Sequence, residues 1–291
     1  MAKLGAIGGV ILMACLPTLA QQASAFRTEH EAWRARRLAA LTQGEGWLSV
    51  VGLDWLSAGD NTLGSSKDVK LALPAKAPAL VGTIRWEGDK LHFKAAPGVV
   101  PTADGKPFVE GDLLPETASS TLSLGDLRMS LIQRGKRIGL RVRDTGSEMF
   151  QKFKGIPAFT PDPAWRVMAR FEAYEKPKDA KIATVIGTPM DAQIPGRVTF
   201  TLEGKALSLE PVLEDDHLFF IFRDKTAGHE TYPAGRFLYA AMPKDGVVIL
   251  DFNRAENPPC AFTEYATCPL APDQNVLPIA VRAGEQDPHL H

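Results

Sequence analysis

The hydrophobic pattern of the chain changes period once, near residue 45. In RTEHEAWRARRLAALT, residues 27–42, the apolar Trp33, Leu38 and Leu41 recur among good helix formers, and Gly44-Glu45-Gly46 ends the run. This predicts one substantial helix within residues 26–45. Beyond it, GWLSVVGLDWLSAG, GTIRWEGDKLHFKA, STLSLGDLRMSLIQRG and RIGLRVRD are apolar or alternating pieces broken by Gly, Asp and Pro every several residues. They predict an antiparallel β-sandwich over residues 46–145. In RIGLRVRD, Ile138, Leu140 and Val142 alternate with Gly139, Arg141 and Arg143. One face is therefore expected to be buried and the other strongly basic, fit either to hold an anion or to meet solvent. Residues 146–165 are rich in Pro and Gly, carry no period, and read as a linker. RVMARFEAY, KIATVIG, GRVTFTLEG, KALSLEPVL, HLFFIFRD, GRFLYAAM and VVILDFN then return to short strands, predicting a barrel-like antiparallel half over residues 166–286 with a polar tail at 287–291. The expected fold is mostly β: an N-terminal helix, an antiparallel β-sandwich and a barrel-like β half.

The first 25 residues follow neither pattern. Lys3 precedes a short apolar run, Ala23-Ser24-Ala25 has the small-x-small form of a signal-peptidase site, and charged FRTEHEAWRARR follows at once. This predicts a signal peptide over residues 1–25 and an exported chain, periplasmic or extracellular, cleaved after Ala25. The competing reading is Leu12-Met13-Ala14-Cys15 as a lipidation box that anchors the chain through Cys15, although apolar Leu-Pro-Thr-Leu-Ala follows that cysteine. The run is interrupted by glycines and Pro17 and is shorter than the ~20 residues of a bilayer span, so no membrane span is predicted.

Charge narrows the partners. The full chain carries 33 Lys+Arg and 34 Asp+Glu. Loss of residues 1–25 removes Lys3 alone among them, leaving 32 against 34. Such a balance lacks the basic excess that nucleic acid or anionic lipid requires, so no nucleic-acid partner is predicted. With 45% hydrophobic and 23% charged residues the composition is that of a folded globular protein.

The densest chemistry lies in DFNRAENPPCAFTEYATCPL, residues 251–270. Pro243-Lys244-Asp245-Gly246 suits a tight turn between the strands GRFLYAAM and VVILDFN. With Met242 facing Val247, Arg236 lies opposite Asn253 and diagonal to Asp251 on one face. With HETY extended, Glu230 and Tyr232 share a side and face that cluster, while His229 points away. The candidate catalytic groups are thus His229, Glu230 and Asp251, and the candidate ligand-binding groups are Tyr232, Arg236, Asn253, Arg254 and Asn257. Two nearby carboxylates shift each other's proton affinity, which suits acid–base work; buried Arg and Asp pairs equally stitch irregular loops to sheets. Cys260 and Cys268 are the only thiols of the processed chain, and in an exported protein such a pair is expected to form a disulfide. Their spacing relative to His229 matches no zinc pattern, so no metal is predicted. No P-loop and no G-x-S-x-G occurs, and no cofactor is predicted.

WRARRLAALTQGEGWLSVVGLDWL, FRDKTAGHETYPAGRFLYA, DFNRAENPPCAFTEYATCPL and NVLPIAVRAGE together resemble the prokaryotic family known as domain of unknown function 1684. That resemblance spans nearly the whole processed chain and implies no activity. The layout GDNTLGSSKDVKLALP, GTIRWEGDKLHF, LSLGDLRMSLI is similar to forkhead-associated β-sandwiches, which read phosphothreonine. Ser65 stands after Gly64 where those domains carry Arg, and Gly82-Thr83-Ile84-Arg85 stands where their Ser and His would fall. The fold alone is implied, not phosphopeptide recognition.

Two functional readings follow. One is an exported small-ligand-binding or envelope-associated β protein with a small polar ligand as its partner. The other is a small-molecule hydrolase using Glu230, Arg236, Asp251 and Asn253, with His229 as base. The sequence carries no signal for oligomeric state.

Overall fold

Short alternating segments become strands because each can bury one row of side chains and leave the other to solvent or a second layer. In the computed structural model, which describes residues 19–290, the first half lays down β1 (Val50–Trp55), β2 (Gly59–Gly64), β3 (Leu71–Ala72), β4 (Gly82–Glu87), β5 (Lys90–Ala95), β6 (Thr102–Ala103), β7 (Lys106–Pro107), β8 (Glu110–Asp112), β9 (Leu122–Leu124), β10 (Leu127–Arg134) and β11 (Arg137–Asp144). A six-stranded sheet of order β1-β11-β10-β9-β6-β7 faces a five-stranded sheet of order β3-β2-β4-β5-β8. Leu63, Ile84, Phe93, Leu122, Met129 and Leu140 fill the space between them. All pairings are antiparallel except β2 with β3.

The second half contains β12 (Arg166–Ile182), β13 (Met190–Leu202), β14 (Lys205–Leu209), β15 (Val212–Glu214), β16 (His217–Phe222), β17 (Arg236–Ala241) and β18 (Val247–Asp251). It is barrel-like in wrapping one core, and it is not a closed barrel: the sheets are β14-β13-β12-β18 and β15-β16-β17. Val198, Phe200, Phe220, Phe222, Leu238 and Leu250 pack between them with Leu277, Ile279 and Val281 of the C-terminal segment. The continuous apolar run of β16 is explained by burial on both faces. Phe220 and Phe222 enter this core, whereas Phe219 and Ile221 pack beneath the loop carrying Cys260 and Cys268.

Helix α1 (Leu19–Thr42) begins before the predicted start and runs through Ala23-Ser24-Ala25; Lys3, Cys15 and the apolar run up to residue 18 lie outside the described residues. Among the described residues no helix is long and apolar enough to cross a membrane. The stretch expected to be a linker holds a short helix α2 (Glu148–Lys152), capped by the Ser147 hydroxyl accepting the Met149 N–H at 3.2 Å. Met149, Phe153 and Ile156 pack with Leu41, Leu48 and Phe262, so helix α1, the first sandwich and the C-terminal loop meet there. Gly235, at φ +102°, lets the chain pass under the preceding hairpin strand: a Cβ there would sit 2.4 Å from the Phe222 carbonyl oxygen.

Phe220 is fully buried and Met168 is 76% exposed. Phe220→Ala is expected to lower unfolding free energy by about 3–5 kcal/mol and Met168→Ala by less than ~0.5 kcal/mol, both read from urea midpoints at constant slope.

Candidate functional site

The cluster expected around Arg236, Asp251 and Asn253 is not formed. β17 pairs with β16, placing Arg236 opposite Phe222, and β18 pairs with β12, placing Asp251 opposite Arg166. The five-residue connection carries the chain from one sheet to the other, closed by a Lys244–Val247 bridge, so neighbouring strands in sequence are not partners. Arg236 is fully buried and donates through Nη2 to Asp224 Oδ2 at 2.8 Å and to the Val281 carbonyl at 2.9 Å. Its Nη1 donates to the carbonyls of Ala283 and Glu285. Asp251 instead accepts the Asn253 backbone N–H and side-chain amide, at 3.2 and 2.9 Å, and lies 3.5 Å from Arg254 Nε.

The residues before β17 are likewise dispersed. The Thr226 carbonyl accepts the backbone N–H groups of His229, Glu230 and Thr231, so this stretch is a turn and the strand-like alternation does not apply. His229 is exposed, Glu230 pairs with Arg282 at 3.0 Å, and the Tyr232 hydroxyl donates to the Cys260 carbonyl at 2.8 Å. These groups do not surround one pocket.

The polar residues of the 251–257 connection have a shared role all the same, which is to dock helix α1. His30 Nε2 lies 3.1 Å from the Asn253 carbonyl, and Arg254 and Arg166 both hold Glu29. The hydrogen bond from Arg166 is the main reason that Glu29 stays below the usual carboxylate range. Arg37 Nη2 donates to the Asn257 carbonyl at 2.8 Å while its Nε lies 3.0 Å from Glu285 and 3.4 Å from Glu256. The Asn257 N–H and side-chain amide donate in turn to Glu285 Oε2 and the Gln286 carbonyl. Burial opposes charge on Arg37, but Glu285 and Glu256 outweigh it and raise its proton affinity. Two carboxylates sharing one guanidinium leave one disfavoured as an anion: burial pushes Glu256 up to about 7, Arg37 opposes that, and Glu285 adds to it.

A different set of residues forms a cleft of about 480 Å³ where the two halves meet. Trp47 and Arg134 come from the first half; Phe219, Phe237 and Tyr239 come from the three-stranded sheet; Cys268 comes from the C-terminal loop. Phe219 and Tyr239 stack at 4.8 Å between centroids and form an aromatic floor. Arg134 Nε donates to Thr267 Oγ1 at 3.0 Å, and its Nη1 donates to Glu116 at 2.7 Å. A groove of about 830 Å³ continues from the cleft, sharing Met190, Asp191, Glu214 and Phe219, and Asp179, Lys181 and Asp215 also line it. Arg134 is the cation among the cleft's own lining residues, and Lys181 of the adjoining groove is held by Asp191.

Arg141 does not line the cleft but lies against Trp47, which does. The basic face anticipated on β11 is covered by the second half of the chain, and Arg141 is 6% exposed, with its guanidinium carbon 5.0 Å from the Trp47 ring centre. Its Nε and Nη2 atoms are buried without a hydrogen-bond acceptor. Burial, then the charges of Arg143 and Arg134, pull its proton affinity down to about 10; Glu116 and Cys268 act in the opposite direction. Arg143 escapes this frustration by donating to the Glu45 carbonyl at 3.1 Å. Arg137 stacks on Trp55 at 3.8 Å.

Cys260 and Cys268 are both buried thiols here, not the expected disulfide; the Cys260 N–H donates to Cys268 Sγ at 3.2 Å. Among the described residues no group of three His, Cys, Asp or Glu is placed to hold a metal ion.

The profile of DUF1684, described as a protein of unknown function, matches residues 151–286. The match covers the second half of the chain and not the N-terminal motifs around Trp33 to Leu56 that were expected to share it. No curated protein matches it. Among solved structures it is similar to an uncharacterized protein from Haloarcula marismortui determined by solution NMR, with 32% identity over 50% of this chain and 82% of that one and a TM-score of 0.42. An FHA domain from a study of phosphothreonine-dependent interactions matches at 20% identity over 31% of this chain and 92% of its own, TM-score 0.23. The FHA domain of FhaA matches at 20% identity over 31% and 97%, TM-score 0.21. The DUF1684-matched stretch supplies Phe219, Phe237, Tyr239 and Cys268, while Trp47, Arg134 and Arg141 lie outside it.

The sign of the Glu256 shift gives a pH signature. A carboxyl raised from 4.5 to about 7 in the folded chain contributes stability that is complete below its unfolded value and is lost as pH rises toward 7. Urea unfolding at pH 5 and pH 8 is expected to show wild type losing up to about 3 kcal/mol relative to Glu256→Gln over this interval; equal pH profiles for the two chains contradict the assignment.

Proposed function

We propose that this is an exported binding protein that holds a small amphipathic organic anion, a carboxylate or phosphate ester with an aromatic or aliphatic body, in the cleft between its two halves. The observation that carries the reading is Arg141, a buried guanidinium with two donors lacking acceptors, set against the cleft-lining Trp47. An unpaired buried cation costs several kcal/mol, whereas a desolvated anion that reaches it recovers much of that cost through charge-assisted hydrogen bonds. Arg134 lines the cleft and receives the anion first, and Trp47, which lines the cleft and lies against Arg141, must shift for direct contact. The aromatic floor of Phe219 and Tyr239 suits an apolar body, and Arg134, the cation among the cleft's lining residues, suits the anionic end.

Hydrolysis by Glu230, Arg236, Asp251 and Asn253 with His229 as base requires these groups around one substrate. Arg236 is committed to Asp224, Glu230 to Arg282 and Asp251 to the Asn253 turn, so binding without catalysis is the better-supported reading. Export is supported by the apolar run after Lys3 and by Ala23-Ser24-Ala25.

Calorimetry and thermal shift with benzoate, phenyl phosphate and the neutral benzamide test the ligand reading. The anions are expected to raise the melting temperature and benzamide to leave it unchanged; Arg141→Met is expected to abolish the anion response while the ligand-free chain keeps or gains stability, because the unpaired charge is gone. An undiminished anion response in Arg141→Met overturns the assignment. Terminal sequencing of the chain recovered from its native cell envelope is expected to begin at Phe26-Arg27-Thr28, and a lipid-blocked Cys15 contradicts cleavage at Ala25.

A further inference from the structure

The three-stranded sheet β15-β16-β17 turns Leu218, Phe220 and Leu238 to the second core and Phe219, Phe237 and Tyr239 to the cleft. Register orders the cleft face. Val212 is opposite Phe219 and Phe219 opposite Tyr239, so these three form one row across the strands. Glu214, opposite His217, lies two residues to one side of that row, and Phe237, opposite Ile221, lies two residues to the other. Side chains two apart share a face, and two residues span about 7 Å of strand. Phe237 marks the end nearer Arg134. It exchanges backbone hydrogen bonds with Glu256, and the chain runs on from there to Cys260, whose N–H donates to Cys268 Sγ; the neighbouring Thr267 holds Arg134. Arg134 and Glu214 thus belong to opposite ends of one face, with the Phe219–Tyr239 stack between them.

Glu214 is also where the two cavities join. It lines the cleft and the adjoining groove alike, whereas Arg134 lines only the first and Asp215 only the second. Other carboxylates of the groove are engaged, Asp191 by Lys181 and Asp179 by the Gln193 amide. The Glu214 carboxylate makes no ion pair among the described residues. Partial burial, and then the charge of Asp215, disfavour its anion, with His217 acting the other way. A cation brought to this point offsets both effects.

We propose that the ligand of the cleft is a zwitterion: its anionic end meets Arg134, its apolar body lies on Phe219 and Tyr239, and its ammonium or guanidinium meets Glu214, the two charges being on the order of 10 Å apart. This rests on the anion-binding reading and adds a second pole to it. An aromatic ω-amino acid or a short linear peptide has that form, whereas a plain carboxylate or phosphate ester has only half of it.

Titration calorimetry on the full chain tests this with 4-(4-aminobutyl)benzoate, its uncharged-end analogue 4-(4-hydroxybutyl)benzoate, and 4-(4-methylphenyl)butylamine, which keeps the amine and lacks the carboxylate. The amino acid is expected to bind about tenfold more tightly than the hydroxy acid. The amine alone is expected to bind more weakly than either. Glu214→Gln, at the exposed end of β15, is expected to shrink the tenfold difference to less than about twofold, in a variant whose urea midpoint shows it to be folded. Equal affinities of the amino and hydroxy acids for wild type overturn the proposal and leave the anion reading standing, and an amine that binds as tightly as the amino acid also overturns it. An advantage of the amino acid that survives in Glu214→Gln overturns the assignment to Glu214, and binding of neither acid removes both readings.

Discussion

One guanidinium secured away from water fixes the end of this chain. Arg236 reaches from β17 to Asp224 and to three carbonyls of the segment 281–285, while Asp224 Oδ1 accepts the backbone N–H groups of Thr226 and Val281 and the Thr226 hydroxyl. The segment is thereby held across the second core without a regular strand ladder of its own. It delivers Glu285 to Arg37, and through Arg37 the position of helix α1 follows. A hairpin loop, a C-terminal segment and an N-terminal helix thus depend on one buried ion pair whose removal leaves several backbone groups without partners.

Three deeply placed arginines separate scaffold from site by what they touch. Arg236 is met by a carboxylate and carbonyls, and Arg37 by two carboxylates and the Asn257 carbonyl. Arg141 has no carboxylate partner and is met by the Trp47 indole face, which does not satisfy Nε and Nη2. The first two are each held by a carboxylate, although Arg236 Nε is also buried without a hydrogen-bond partner. The third is completed only by something brought from outside, and it lies beside Trp47 where the two halves leave space.

The strands and the helix were legible in the sequence because alternation and helical spacing are local properties. IGLRVRD divides Leu140 and Val142 from Arg141 and Arg143 as its pattern states, but whether the basic face meets water depends on a second half that docks on it. The register around Arg236 was not legible: Met242–Gly246 reads as a hairpin turn, yet it links two sheets, and no local signal distinguishes these outcomes. Nor does spacing announce Arg37 with Glu285, 248 positions apart. The proximity of Cys260 to Cys268 was readable from their short separation, while their reduced state was not, since oxidation depends on sulfur geometry and partners rather than count. Trp47, Arg134, Phe219 and Tyr239 were missed because each looks like ordinary strand filling until elements distant in sequence are assembled.

The cleft draws its cationic wall from one sandwich and its aromatic floor from the other, and this division has an evolutionary corollary. Selectivity belongs to the pairing of two modules and to neither alone. Exchanging the first module for one with a different strand face would retune the charge accepted at the entrance while leaving the ring-lined bed intact, so specificity can drift without disturbing the half that holds the chain together.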